Sequence, residues 1–319
     1  MAKLPEPRDE RRERAKQLLA KFPRTPDVRD DVVISIANSL FGDRQLDVIR
    51  AFVDTTARDY GAPFELVDFA HAPDDARRHI NAWVARATRD RIRELLGPND
   101  ITALTLLVLV DAIYLRALWQ TPFASTHPAP FAIAGVATVD VPTMTTIAAA
   151  RWGEHAGASL VALPYQASEL QMLIAVPAKR SLAELEAAYV HDGFAALRAG
   201  VRKSGKAMVA LPKFQARTSI DLKQALCAIG LAHPFGDASD FSGIAASPPL
   251  QISGVIHQAW LAVDEAGTEA AAATAVVMVP RGGSPRVDAH VQIDRSFLFF
   301  VHDADDNVLF AGRVIDPRS

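Results

Sequence analysis

The chain has 319 residues, half of them hydrophobic and 22% charged, with a net charge of −3 at pH 7. This is the composition of a globular chain with ample core material, and its balance excludes the basic excess by which nucleic-acid binders hold phosphate. A single cysteine, Cys227, excludes an internal disulfide and a cysteine-rich metal site, and no apolar run reaches the roughly 18 residues that a membrane-spanning helix needs.

Residues 1–30 interleave acids and bases, so RDERRERAKQLLAKF reads as a solvated helix rather than a nucleic-acid arm, and no apolar export signal is expected there. DVVISIANSLFG (31–42) predicts a strand, followed by a helix through RQLDVIRAFVDTTARDYGA and a short alternating strand, PFELVDF. APDDARRHINAWVARATRD predicts a helix with Ile80, Val84 and Ala87 on one face. TALTLLVLVDAIYLRALW (102–119) is apolar almost throughout, with one acid, Asp111, as expected of a central strand buried on both faces. Short strands punctuated by Pro and Gly follow: FAIAG, VDVPTM, SLVALPY and LQMLIAVP. SLAELEAAYVHDGFAALRAG reads as helical and KAMVALPKFQA as a strand, while DLKQALCAIGL predicts a short helix that buries Cys227 and closes at Gly230. VIHQAWLAVDEAG predicts another strand, and RSFLFFVHDADDNVLFAGRVIDP two apolar strands around the turn DADDN. Strands scattered along the whole length, without a composition break, predict one α+β domain over 1–319.

The segment GTEAAAATAVVMVPRGGSP (267–285) stands apart. From Thr268 to Val279 it has neither Gly nor Pro, and its one charge is Glu269. At strand spacing Thr268, Ala270, Ala272, Thr274, Val276 and Met278 share one face, graded from small to large. Extended, 268–281 spans about 46 Å at ~3.3 Å per residue, far beyond an ordinary strand. An alanine-rich helix with Thr268 as N-cap is the plainer reading, yet the β-branched run TAVVMV favours a strand. A long apolar segment able to add to a sheet is an aggregation hazard unless insertion is its purpose.

Several blocks, in order, resemble the serpins, a family of serine-protease inhibitors. DEAGTEAAAAT (264–274) resembles the hinge of inhibitory members and VQIDRSFLFFV (291–301) their C-terminal signature. LVDAIYLRALWQTPF (109–123), LPYQASELQMLIAVP (163–177), LPKFQARTSIDLKQALCAIGL (211–231) and DASDFSGI (237–244) are similar to further family blocks. The resemblance runs over about 31–317, and the segment forming the family's first three helices is expected to be lacking. It implies a serpin-like fold: a large central mixed sheet, two smaller sheets, surrounding helices and an exposed reactive-centre loop at 267–285. Glu265, Gly267, Thr268, Glu269, Ala270, Ala271, Ala272, Ala273 and Thr274 would form the hinge. His257 and Asp111, which stands where the family usually has Asn, would form the shutter that holds two central strands together. Trp119 would mark the breach at the top of the gap, with Lys213 and Glu265 paired there. The family register places the scissile bond fourteen residues past Gly267, between Arg281 and Gly282 and preceded by Pro280. Arg286 is the second candidate.

The implied activity is suicide inhibition of an Arg-specific, trypsin-like serine protease: loop cleavage, acyl-enzyme trapping and insertion of the loop as a new strand. The partner is that protease, with the inhibitor monomeric and no nucleic acid or membrane involved. The compartment implied is extracellular, with cytoplasmic as the alternative. A non-inhibitory serpin-fold binding protein, such as a carrier or chaperone, and an inactive truncated remnant remain competing readings. An enzyme is not expected: G-x-S-x-G, H-E-x-x-H and the P-loop are all missing, and the nine histidines lack metal spacing. No catalytic residue, metal ligand or cofactor is expected.

Overall fold

The computed structural model describes residues 32–134, 136–178, 181–236, 238–245, 247, 250, 252, 255–268 and 286–319. Strand β1 (Val32–Asp43) pairs in parallel with β2 (Phe64–Val67), Leu40 lying opposite Phe64. The buried Asp43 carboxylate accepts N–H bonds from Gln45, Phe69 and Ala70, tying both strand ends together. Helix α1 (Arg50–Thr55) continues into a π-helical turn, Thr56–Tyr60, which ends on Gly61 at φ 56°. The helix is shorter than the sequence predicts because 44–49 is used elsewhere. Val48 bridges Ala245, and the Ile49 N–H donates to the Ile244 carbonyl at 2.8 Å.

Helix α2 (Pro73–Ala87) has Pro in its first turn and Asp74 and Asp75 beside it, both favourable at a helix N-terminus. Its predicted face holds at Ile80 and Val84, which are fully buried, while Ala87 is half-buried. Strand β3 (Leu107–Leu118) corrects the expectation of a strand buried on both faces. Val110, Ala112 and Tyr114 are buried, whereas the intervening Leu109 and Ile113 are half-buried and Asp111 is exposed. The acid stands on the open side, where its charge keeps its water.

Next come β4 (Ser125–Ile133), the 19-residue β5 (Ala137–His155), β6 (Ala158–Pro164) and β7 (Gln171–Pro177). The long helix expected after them is two, α3 (Leu182–Asp192) and α4 (Phe194–Gly200), broken at Gly193, whose φ of 79° no helix accommodates. A capping box between Ser181 and Glu184 starts α3. Strands β8 (Val201–Pro212) and β9 (Phe214–Asp221) precede α5 (Lys223–Ala228), where Cys227 is half-buried rather than buried. Strand β10 (Ile256–Val263) turns into the two-residue β11 (Gly267–Thr268). Then follow β12 (Ala289–Gln292), β13 (Phe297–His302) and β14 (Val308–Val314).

Among the described residues, one sheet runs β2-β1-β3-β11-β10-β9 and is mixed. The other runs β12-β8-β5-β6-β7-β13-β14, with β4 on β5. Strands expected in a second and third sheet are thus joined through β5, which pairs with β4 and β8 and then with β6. The described residues group into two compact units, one of Val33–Tyr114 and Arg217–Trp260, the other of Leu115–Ala216 and Leu261–Ser319.

Candidate functional site

The segment Asp264–Thr268 is built against the end of β3. The Trp119 N–H donates to the Ala266 carbonyl at 2.9 Å, the indole N–H to the Asp264 carbonyl at 3.0 Å, and the Phe123 N–H to the Glu265 carbonyl at 2.8 Å. The Asp264 carboxylate accepts from the N–H groups of Ala266 and Gly267, closing the turn on itself. Gly267 then lies opposite Leu118 and Thr268 opposite Ala117, antiparallel to β3, with Val263 of β10 on the other side of Thr268. A side chain at Gly267 has no room: a Cβ would collide with the Ala117 carbonyl oxygen and stand 2.7 Å from the Leu118 Cα. From Val110 to Tyr114, by contrast, β3 pairs directly with β10, Asp111 opposite His257.

Thr268 is fully buried, and its hydroxyl shares a 2.6 Å hydrogen bond with the Tyr165 hydroxyl. The Tyr165 ring stacks on Trp119 with centroids 4.6 Å apart and planes 7° from parallel. Burial pushes the Tyr165 phenol well above its ordinary value, so it keeps its proton across the working range.

The Lys213 ammonium lies 2.9 Å from one Glu265 oxygen and 3.2 Å from the other, which also accepts from the Thr126 hydroxyl. Burial works against ionisation of Glu265, but the Thr126 and Lys213 contacts outweigh it and hold its carboxyl below its ordinary value. The adjacent Asp264 moves the other way: burial pushes it up against its two N–H donors, and the Glu265 charge adds to the rise.

The sequence expectations at Trp119, Lys213, Glu265, Gly267 and Thr268 therefore meet in one cluster. Asp111 and His257 meet separately, with His257 Nδ1 3.0 Å from an Asp111 carboxylate oxygen, and with their side chains 52% and 31% exposed. Glu269 to Thr274, Pro280, Arg281 and Gly282 lie outside the described residues. Three participants went unrecognised in the sequence: Tyr165, Asp264 and Thr126. Tyr165 carried a signal, a tyrosine closing the apolar strand SLVALPY, but nothing local announced a partner 103 residues away. Among the described residues no group of His, Cys, Asp and Glu could hold a metal, and no helix is long and apolar enough to cross a membrane.

A strand end that takes in Gly267 and Thr268 is joined by a match over nearly the whole chain. The family model described as serpin (serine protease inhibitor) covers residues 3–317. The chain belongs to the serpin family. The match begins well before residue 31, where the recognisable blocks start. This serpin is 33% identical to human Serpin B12 over 313 residues, taking in 94% of this chain and 76% of that relative. It is 33% identical to bovine leukocyte elastase inhibitor over 303 residues, 89% of this chain and 78% of the other. The structure of human thyroxine-binding globulin with thyroxine superposes with a TM-score of 0.84 at 26% identity, covering 98% of this chain and 82% of that one. The serpin fold and its α+β class are confirmed, and the chain is a protease inhibitor by family rather than an enzyme.

Proposed function

We propose that this serpin is a suicide substrate of Arg-specific, trypsin-like serine proteases, with Arg281–Gly282 as the scissile bond. The observation that carries the reading is the seating of Gly267 and Thr268 between β3 and β10, where a new strand would enter. The protease serine oxygen attacks the Arg281 carbonyl carbon, the bond to the Gly282 nitrogen breaks, and that amine leaves with a proton. An ester joins the two proteins. The freed segment then continues the strand that Thr268 begins, carrying the acylated protease with it before water can cleave the ester. Strand insertion with release of stored strain is established behaviour of serpins. What this chain adds is composition: the next inward positions, Ala270, Ala272 and Thr274, are small and uncharged, so each step costs little desolvation and gains ladder bonds of about 0.5–1.5 kcal/mol each.

In this reading the whole chain acts as one inhibitory domain and as a monomer. Asp111 and His257 serve as the shutter, and Trp119, Lys213 and Glu265 as the breach. Thyroxine-binding globulin shares the fold, which supports a carrier as the second reading. The small hinge residues favour the inhibitor.

The test is a mix with trypsin resolved on a denaturing gel. A covalent band at the summed masses is expected, together with a fragment whose new N-terminus is Gly282. Arg281→Ala should remove the band while leaving the melting temperature within about 1 °C, the change being confined to the bait. A band of equal strength from Arg281→Ala would move the scissile bond to Arg286 or elsewhere. A quantitative nick without a band would mean a substrate only.

A further inference from the structure

The Tyr165 hydroxyl is no part of the reading above, and its surroundings give it a task. It is buried, its ring is fixed face to face on Trp119, and the partner its oxygen finds is the hydroxyl of Thr268. Thr268 is as deeply buried, between Ala117 of β3 and Val263 of β10. Everything upstream of it has braces of its own: Trp119 to Ala266 and Asp264, Phe123 to Glu265, and the Asp264 carboxylate to its own turn. Past Gly267, where no side chain fits, the Tyr165–Thr268 bond is the side-chain contact that rewards the hinge for lying in the sheet. With the hydroxyl of either residue removed, the other is left as a buried polar group without its partner, so the seated hinge is disfavoured. With both removed, two apolar groups of nearly the same shape face each other, and the seat is close to neutral again.

We propose that Tyr165 is a positioning residue for loop insertion. It holds Thr268 in the sheet before any protease arrives, so that insertion starts from a strand already begun, and this head start sets the share of encounters ending in trapped protease rather than cleaved inhibitor. The proposal rests on the suicide-substrate reading and deepens it. Trapping is a race between strand growth and ester hydrolysis. Forming the first rung is the slow part, because the gap between β3 and β10 must open before any ladder bond is gained. The pre-seated rung makes the first part of that opening beforehand, and the pairing from Val110 to Tyr114 is what remains to part. The association step is left alone, since the bait at Arg281 is unchanged.

The experiment is a double-mutant cycle with Tyr165→Phe, which keeps the ring stack on Trp119, and Thr268→Val, which keeps the shape. Two quantities are read: the ratio of covalent complex to cleaved inhibitor with trypsin, and hydrogen exchange of the backbone over 264–268. Each single variant should lower the ratio about fivefold and speed exchange of that segment by a similar factor, the loss of about one net hydrogen bond. The double variant should return to within about twofold of the parent on both readouts, with the rate at which intact inhibitor is consumed unchanged throughout. A double variant that falls further than either single, or singles that exchange like the parent, would overturn the latch. Altered exchange with an unaltered ratio would overturn its role in the race. A parent chain that forms no covalent complex would overturn the inhibitor reading alone, and the exchange arm would still decide whether the latch exists.

Discussion

Two contacts between acids and bases, one joining β3 to β10 and one beside the turn that follows β10, are built differently. Lys213 and Glu265 belong to a cluster in which Thr126 shares the same carboxylate and Trp119 and Phe123 hold the backbone beside it. Asp111 and His257 meet through one 3.0 Å contact, with half of the acid open to water. Distance is nearly the same in the two, so distance is not what separates them. The first charge pair is braced by groups that would lose their own partners if it moved. Among the described residues the second has no further hydrogen-bond partner that would feel its loss. An ion pair is worth what its surroundings make of it.

The sharpest way to test that contrast is to remove the brace. Trp119→Ala deletes a fully buried indole together with its stack on Tyr165 and its bond to Asp264. The expected loss is about 3–5 kcal/mol, read as a lower urea midpoint. A loss below about 1 kcal/mol would mean that the cluster is not organised around this ring.

A smaller effect is expected from Lys213→Ala, because both partners are more than a third exposed, 40% for the lysine and 36% for the glutamate. Discounted for solvent screening, the loss is about 1 kcal/mol or less. It should also depend on pH in a fixed direction. Glu265 titrates below its ordinary value of 4.5 in the folded chain, so its contribution is complete above that pH and disappears as pH falls through the folded value. The stability difference between parent and variant should therefore be flat above pH 4.5 and shrink below it. Asp264, with its value raised, runs the other way, but both chains carry it. A difference that grew on acidification would contradict the Glu265 assignment.

The smallest effect belongs to Asp111→Asn. The amide keeps the size and a hydrogen bond to His257, and the exposed pair has little to lose, so the melting temperature should shift by less than the equivalent of about 0.5 kcal/mol. A loss above 1 kcal/mol would place this pair among the braced contacts and end the contrast.

Legibility from sequence followed the range of the interactions. The apolar tail around DADDN became β13 and β14, and the alternating face of α2 held at Ile80 and Val84, because both patterns are local. The helix expected from Arg44 failed where Val48 and Ile49 bond to residues nearly 200 positions away. The run SLAELEAAYVHDGFAALRAG was read as helical throughout, and the Asp-Gly pair within it, a turn signal, breaks it at Gly193. Asp111 was expected in a dry sheet because its neighbours are apolar, but a strand's residues alternate, and composition does not say which side is covered. Gly267 and Thr268 were singled out through family resemblance, while Tyr165 was not, since its partner is a distant threonine.

The C-terminal strands carry a consequence for how this chain is made. Strand β13 lies between β7 and β14, pairs with both, and is buried at every position from Phe297 to His302. One end of the larger sheet is therefore completed by strands made well after β7. Until synthesis has passed Val314, β7 presents an unpaired apolar edge, the kind of surface on which nascent chains associate with one another. The Asp303 carboxylate, which accepts from the N–H groups of Asp305 and Asn307 and from the Asn307 amide, closes the β13–β14 turn from within. A hairpin that forms from local contacts alone can dock as a unit, and the interval during which the growing chain is exposed to its neighbours is short.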